Sequence, residues 1–470
     1  MRFLVIVILL SLLDMEAFGQ TQDSIPHFYD SVNNNIVFIG NITLKGNKKT
    51  RDNIILREVT FKKGDKLTIN DLNKQLKISK DQIFNTELFV DDSVYISNQK
   101  GPVVDINIVL KERWYFFPLP YFKLIDRNFN QWWEQENHSL SRIDFGIKFM
   151  ETNLTGRNDK LNVWLIDGYN QQVSLRYDIP FFDKKLKHGI NIGMGYSRQR
   201  ELNYATSTSN KQLFFKEDND YAKVTKRVDV TYSYRPNQKI RHYFRLGYYD
   251  EAISDSIFAL NPQYYPDNLK RVGYFAANYS FNYYDADYYY FPTKGIILNA
   301  NISKKGFDKV NDMWQTDIHL TYATHLYKNS FLLMEAAAAI KFPYNPFFYN
   351  QNLFGKGTFQ LSGQEYNVVD GLAGLLGKAT IEQKLFTYIL HNPIHSKSHD
   401  KLPFSFYLNI FGNLAYCDNP YYNTSLNNKL MYTYGVGLDI VSIYDFVFRI
   451  NWAFNQLDVN GIYFHTRNDF

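Results

Sequence analysis

Three histidines, His391, His395 and His399, recur at intervals of four residues in the last quarter of the chain. On a helix that spacing would put three imidazoles on one face, as a zinc or similar metal site requires. Pro393 falls inside the stretch and the flanking residues are polar, so the segment reads as a solvated turn and no metal is expected. Cys417 is the single cysteine, which excludes an intrachain disulfide and argues against a thiolate metal site. The cluster Lys184–His188 likewise reads as a solvated turn. There is no Gly-x-Ser-x-Gly, no phosphate loop and no pair of carboxylates held on one element. The net charge of +5 is spread without a basic block, so nucleic acid is not expected as a partner. No catalytic residue and no cofactor is expected, and the chain does not read as an enzyme.

The elements that would carry these residues are strands. From about residue 140 onward, segments of about ten residues alternate apolar and polar positions between turn residues. Val173, Leu175, Tyr177 and Ile179 alternate with Ser174, Arg176 and Asp178. Tyr432, Tyr434, Val436, Leu438 and Ile440 face away from Thr433, Gly435, Gly437 and Asp439, and Phe446 to Asn455 repeats the pattern around Arg449. Period two means one apolar and one polar face. A soluble sandwich shares that property. Segment length, small residues on the polar side and aromatic residues at segment ends favour a closed barrel with lipid outside and a wet lumen inside. Aromatic residues make up 17% of the chain, with 37 Tyr and 38 Phe, which suits girdles at two membrane interfaces. Trp132 and Trp133 read as anchors at the outer interface.

Counting the segments gives about sixteen, from near Phe116 to Phe470, and an even number puts both ends on the same side of the membrane. The connections Ser197–Lys223, Glu251–Asn268, Pro343–Gly371 and Asp418–Asn428 are long, as extracellular loops should be. Pro236–Gln238, Tyr327–Asn329 and Ser442–Asp445 are short, and Leu390–Pro403 is a long exception on the inner side. The N-terminus reads as a signal peptide over residues 1–19. Arg2 precedes the apolar run Phe3–Leu13, and Ala17-Phe18-Gly19 offers small residues before a cut at Gln20. Residues 20–35 read as a linker. Residues 36–113 differ from the rest: a strand at Ile36–Lys45, helical spacing at Arg51–Val59 and Ile69–Asn85, then strands at Val90–Ser97 and Val103–Glu112. Thr68 is placed to cap the second helix, with Asp71 three residues on. The fold class is therefore an α+β domain of order β-α-α-β-β followed by an all-β antiparallel transmembrane barrel over residues 114–470.

The stretch Ile42-x-Leu44-x-Gly46-Asn47-x-x-Thr50, then Ile54–Glu58, Gly64-Asp65 and Asn85-Thr86-x-Leu88-Phe89, resembles a POTRA domain. The remainder of the chain, residues 114–470, is similar to the barrel of the BamA/TamA family of outer-membrane assembly and translocation proteins, here as a single-POTRA member. Glu151–Arg157 resembles the family's first periplasmic turn, Tyr288–Gly295 its mid-barrel Phe-Pro-Thr-x-Gly turn, and Phe470 its terminal aromatic residue. The resemblance implies a bacterial outer-membrane location with the POTRA domain in the periplasm. It also implies partners of three kinds: outer-membrane lipid, unfolded outer-membrane or secreted polypeptides, and periplasmic proteins at the POTRA domain. The implied function is protein insertion or polypeptide translocation by strand augmentation. A passive pore and a surface-binding, adhesin-like barrel are the alternatives.

Within that family the longest extracellular loop carries an Arg-Gly-aromatic tip whose Arg meets an Asp of a Phe-x-Asp-x-Gly strand. Here the matching loop reads Leu361-Ser362-Gly363-Gln364-Glu365-Tyr366 and runs on to Asp370, and the strand reads Phe411-Gly412-Asn413. Ser362 replaces Arg and Asn413 replaces Asp. Losing one member of a buried pair costs about 3–5 kcal/mol, whereas a neutral Ser and Asn can bond to each other or to water for about 1 kcal/mol. The loop is expected to enter the lumen but to be held less firmly. The barrel seam is expected between the first strand, with Pro118 and Pro120, and the last, with Phe464 and Phe470. The prolines lack N–H donors and either weaken the seam or merely shape the approach from the POTRA domain.

Overall fold

In the computed structural model the described residues are 36–124, 132–133, 143–183, 185–218, 220–307, 311–345, 347–354, 359–391, 401–442 and 446–466. The signal peptide, His395, His399 and Phe470 lie outside them.

The first domain contains β1 (Ile36–Lys45), α1 (Asp52–Leu56), β2 (Lys66–Thr68), α2 (Ile69–Phe84), β3 (Phe89–Lys100) and β4 (Val103–Glu112). Its sheet has the order β2-β1-β4-β3, with β1 and β4 parallel at the centre. Val37 and Ile39 on β1 and Val104, Ile106 and Ile108 on β4 alternate inward, and Leu72, Leu76 and Ile83 of α2 close over them. Helical spacing puts those three on one face. The Thr68 hydroxyl accepts the Asp71 N–H at 3.1 Å, capping α2, a contact of the kind worth about 1 kcal/mol. The predicted β-α-α-β-β order gains a strand between the helices. At three residues β2 is too short for period two to register, and it exists through its pairing with Ile36–Phe38.

The barrel strands begin with β5 (Phe116–Leu124), β6 (Ile143–Thr152), β7 (Lys160–Gly168), β8 (Asn170–Ile179) and β9 (His188–Gln199). A hairpin, β10 (Glu201–Thr206) and β11 (Gln212–Lys216), stands outside the barrel sheet. The sheet resumes with β12 (Lys223–Tyr234) and β13 (Ile240–Ile253), then helix α3 (Asp255–Leu260), β14 (Arg271–Ala286), β15 (Gly295–Lys305), β16 (Met313–Tyr327) and β17 (Ser330–Phe342). Helix α4 (Phe348–Gln351) and the short pair β18 (Asn352–Phe354) and β19 (Val369–Asp370) lie in the next connection. The last strands are β20 (Ala373–His391), β21 (Lys401–Asp418), β22 (Leu430–Val441), β23 (Val447–Asn455) and β24 (Asn460–Thr466).

Sixteen strands form one antiparallel sheet running from β5 to β24. Val228, Val230, Phe244, Leu246, Tyr434, Val436 and Trp452 are exposed on its outer face. Asp229, Asn409, Thr433, Asp439 and Asn451 are buried on its inner face. That inversion of the soluble pattern is the signature of a barrel whose apolar side meets lipid. The connections β6–β7, β8–β9, β12–β13 and β14–β15, each leading from an even-numbered to an odd-numbered strand, touch the first domain, so the domain and the short turns share one side, as the strand parity requires.

Candidate functional site

Three features meet around the lumen: the seam, the inward loop and the junction with the first domain. At the seam, β5 pairs with β6 from Phe116↔Glu151 to Leu124↔Ile143, and β24 pairs with β23 from Phe448↔Thr466 to Phe454↔Asn460. Among the described residues no ladder joins β5 to β24. The phase of the β5 edge is fixed by one bond. Thr152 N–H donates to the Tyr115 carbonyl at 2.8 Å, so Tyr115 and every second residue after it turn their polar backbone toward β6. Phe116, Pro118, Pro120, Phe122 and Leu124 then turn theirs toward the seam. Both prolines stand on the edge that β24 would have to meet, which is where a sheet tolerates proline. Phe464 of β24 is exposed on the lipid side and stacks on Phe448 at 6.2 Å.

The loop between β17 and β20 enters the lumen. Leu361, Gln364, Glu365, Val368 and Asp370 are buried. Gly363 has φ +92, and a Cβ there would lie 3.2 Å from the Ala453 Cβ, so conformation and space both select glycine. This close seat on β22 and β23 decides the polar contacts. Asn451 donates to the Ser362 hydroxyl at 3.3 Å, and Asn455 donates to the Gly363 carbonyl at 2.6 Å. Asn413 does face the lumen, but its amide donates to Thr433 at 2.9 Å. Of the two options open to a neutral Ser and Asn, bonding to each other is not the one taken among the described residues, because Gly363 sets Ser362 over β23 and not over β21. Gln364 donates to Gln456 at 3.2 Å, and Asp370 accepts from the Tyr422 hydroxyl at 2.8 Å.

Sequence reasoning did not reach the loop's grip on the last strand. The Glu365 carboxylate accepts the Gly363 N–H at 2.8 Å and lies 3.0 Å from His465 Nε2 on β24. The Tyr366 ring meets Tyr463 of the same strand edge-on at 5.9 Å. Nor did it reach the wall beneath, where Arg449 binds Asp439 through Nε at 2.8 Å and Glu382 at 3.2 Å, with both carboxylates buried. Inward parity of Arg449 and Asp439 was the available signal; the pairing across strands was not.

At the junction, Glu58, two residues past α1, takes two hydrogen bonds from Arg235 in the β12–β13 turn, both at 2.7 Å. Burial pushes the Glu58 carboxyl up, but the Arg235 charge and hydrogen bonds, backed by Arg57 and Arg241, hold it below the usual range. The Arg57 guanidinium lies 4.0 Å from the Phe181 ring centroid. Glu87 binds Lys160 at 3.0 Å and the Tyr290 hydroxyl at 2.8 Å. Burial again opposes its charge, and Lys160 with Tyr290 more than offsets it. The turn at Asn153–Arg157 presses Gly156 against the domain: Arg51 N–H donates to its carbonyl at 3.0 Å, and a Cβ would meet the Lys49 carbonyl at 2.3 Å. Both turns that carried the family resemblance thus touch the first domain. A cavity of about 380 Å³ remains between domain and barrel, lined by Glu58, Glu87, Lys160, Arg235 and Arg241 among others. On the opposite side, Asn210 at the tip of the β10–β11 hairpin donates to the Val368 carbonyl and to Thr424, both at 3.0 Å.

Comparison with known proteins agrees with this arrangement. The Omp85 superfamily domain matches residues 153–368, and the surface antigen variable number repeat, or POTRA, matches residues 37–113. BamA from Haemophilus ducreyi lacking POTRA domains 1–3 shares the fold at 16% identity, over 92% of this chain and 84% of that one, with a TM-score of 0.50. CdiB from Escherichia coli is 10% identical over 99% and 98% of the two chains, with a TM-score of 0.49. No curated protein matches the chain. Membership implies an outer-membrane barrel with its POTRA domain in the periplasm, which fits the side shared by that domain and the short turns. With a POTRA domain at residues 37–113 docked on a sixteen-strand barrel, the chain belongs to the Omp85 superfamily.

Proposed function

We propose that the chain assists insertion of outer-membrane proteins or moves a polypeptide across that membrane, by offering backbone edges to an extended client. The observation that carries this is the seam edge of β5. Two of its five seam-facing positions, Pro118 and Pro120, have no N–H to give to β24. Such an edge pairs weakly with its own barrel and stays open to a foreign strand. The second edge is β3, the outermost strand of the POTRA sheet, where a client segment can add by main-chain bonds. The loop tip, tied to β23 and β24, places a lumen element against the β24 side of the seam. An extended polypeptide client, periplasmic partners at the POTRA domain and a lipid surround are the partners such a molecule needs.

A passive pore has no use for a loop seated in the lumen or for a domain bonded across the inner mouth. An adhesin-like barrel would concentrate its function in the β10–β11 hairpin, yet the tip of that hairpin is turned inward onto Val368 and Thr424. Depletion of the protein and subsequent profiling of the outer-membrane proteome tests the proposal. Loss of specific barrel or secreted proteins is expected. An unchanged proteome, together with steady conductance of the purified chain in planar bilayers, would replace it with the pore.

A further inference from the structure

The periplasmic rim of the barrel carries a row of rings that neither the seam nor the loop uses. His188 opens β9 and stands in register beside Tyr234 of β12, which stands beside His242 of β13, which stands beside Phe281 of β14. Ring centroids along the row are 5.2, 5.8 and 5.4 Å apart. Strand parity puts the row on the same face as the exposed Val230, Phe244 and Leu246, at the edge of the lipid-facing band. One layer deeper, His188 Nδ1 lies 2.6 Å from the Tyr232 hydroxyl and His242 Nδ1 lies 2.9 Å from the Tyr279 hydroxyl. A hydroxyl that donates to Nδ1 leaves the ring proton on Nε2. Neither Nε2 has a hydrogen-bond partner among the described residues, so in the tautomer with the hydroxyls donating to Nδ1 each Nε2 is free to donate at the rim.

The turn before β9 adds charge at the same level. Asp183 accepts the backbone N–H groups of Lys185, Lys187 and His188 at 3.0, 2.8 and 2.8 Å, which fixes the turn and occupies its one carboxylate. Leu186 is buried beneath the POTRA domain, while Phe182 is 54% exposed on the outside. Lys185 and Lys187 have no ion pair among the described residues. Two lysines of the turn and two imidazoles of the ring row therefore lie at the same end of the strands, at the level of the lipid headgroups. Tyrosines favour that depth, and lysines there attract anionic lipid.

We propose that this rim is a phospholipid site of the periplasmic leaflet, with His188 and His242, one on each side of Tyr234, each donating to the phosphate of its own lipid headgroup, and Lys185 and Lys187 selecting a net negative headgroup. The occupant is a lipid because the row is continuous with the hydrocarbon-facing surface, so a bound phosphate would have its acyl chains alongside Ile192, Val230 and Leu246. The full chain, folded in dodecyl maltoside micelles, is titrated with phosphatidylglycerol, with phosphatidylcholine and with inorganic phosphate, and bound lipid is counted by native mass spectrometry. Phosphatidylglycerol is expected to bind more tightly than phosphatidylcholine. The variant H188F/H242F keeps the stack, removes the donors and should weaken both lipids about ten-fold or more. The variant K185A/K187A, changed only in the turn, should weaken phosphatidylglycerol about five-fold for each lysine and abolish the preference. Heat-modifiable electrophoretic mobility verifies the fold of each variant, and if the histidine variant fails to fold the lysine variant decides. Equal retention by wild type and variants, or displacement of the lipid by inorganic phosphate, overturns the proposal.

Discussion

Replacing Glu58 by Gln should release the POTRA domain from the barrel. The carboxylate is 2% exposed and takes two hydrogen bonds from Arg235, both at 2.7 Å. With Gln in its place, Arg235, Arg57 and Arg241 face one another without their shared anion. Removing one partner of a buried pair costs about 3–5 kcal/mol, and here the charges left behind also repel. The converse change, Arg235→Met, leaves Glu58 with Arg57 and Arg241 and should cost less, about 2 kcal/mol. The double variant should recover part of the Glu58→Gln loss. The pH dependence has a definite sign. The folded-state pKa of Glu58 is lowered, so its contribution is present above the unfolded carboxylate range near about 4.3 and is lost as pH falls through the lower value. Docking can be read by electron–electron resonance between spin labels replacing exposed Lys77 on α2 and exposed Lys328 in the β16–β17 turn, with buried Cys417 left unlabelled. One narrow distance is expected for wild type at pH 7, and a broad distribution for Glu58→Gln. An unchanged distribution, or a double variant that is the sum of the two single ones, would refute the reasoning.

Asp92 on β3 is buried, and burial lifts its carboxyl to about 7, with Lys80 working against the lift and Asp91 and Asp81 adding to it. Stability from this group is complete below the unfolded pKa and is lost as pH rises through 7, so Asp92→Asn should raise the POTRA melting temperature by roughly 2–6 °C at pH 8 and hardly at pH 4; equal shifts at both pH values would refute it. Gly363→Ala should destabilise the seated loop by about 1–2 kcal/mol, through the positive φ and the Ala453 contact, visible as faster protease cleavage of the loop in the intact barrel. Ser362→Arg combined with Asn413→Asp restores the family's two charges, which the long Arg side chain must join across β22, and should slow that cleavage relative to either single change; identical rates for all three would sink the idea. Replacing Pro118 and Pro120 by Val supplies two seam donors and should raise the barrel's resistance to heat while lowering client insertion, and a barrel no more heat-resistant than wild type would argue against a weakly paired edge.

The barrel was legible because each strand lies between two unlike media. Tyr432, Tyr434 and Val436 on one side and Thr433, Gly435 and Gly437 on the other need no partner to declare which face is which. The same logic set strand parity, hence the side of the short turns. β2 escaped because three residues carry no period. At the candidate site, parity placed Asn413 on the lumen face and the motif located Ser362, yet their partners are Thr433 and Asn451. A face is a property of one strand, whereas a contact across the lumen depends on where Gly363 lets the loop sit. The Glu365–His465 contact was out of reach for the same reason: it joins residues 100 positions apart, with no local pattern on either. Glu58 stood inside the POTRA motif, and the turn at Pro236–Gln238 was legible as short, but no local pattern pairs Glu58 with Arg235 at its start, 177 positions away.

The hairpin tip at Asn210 also sets an order of events in time. Its bonds to Val368 and Thr424 close chain separations of 158 and 214 residues. Contacts of such length form late, because the entropy of closing the intervening chain must be met before they can act. Val368 belongs to the loop that fills the lumen, and Thr424 to a connection that exists only once β21 and β22 have paired. The hairpin can therefore settle only onto a loop already in place, so the last stage of folding doubles as a check that the lumen has been filled. A chain whose loop had been left outside would lack the Val368 acceptor and would carry a loose extracellular hairpin, a nicking site by which proteases could tell it from a finished molecule.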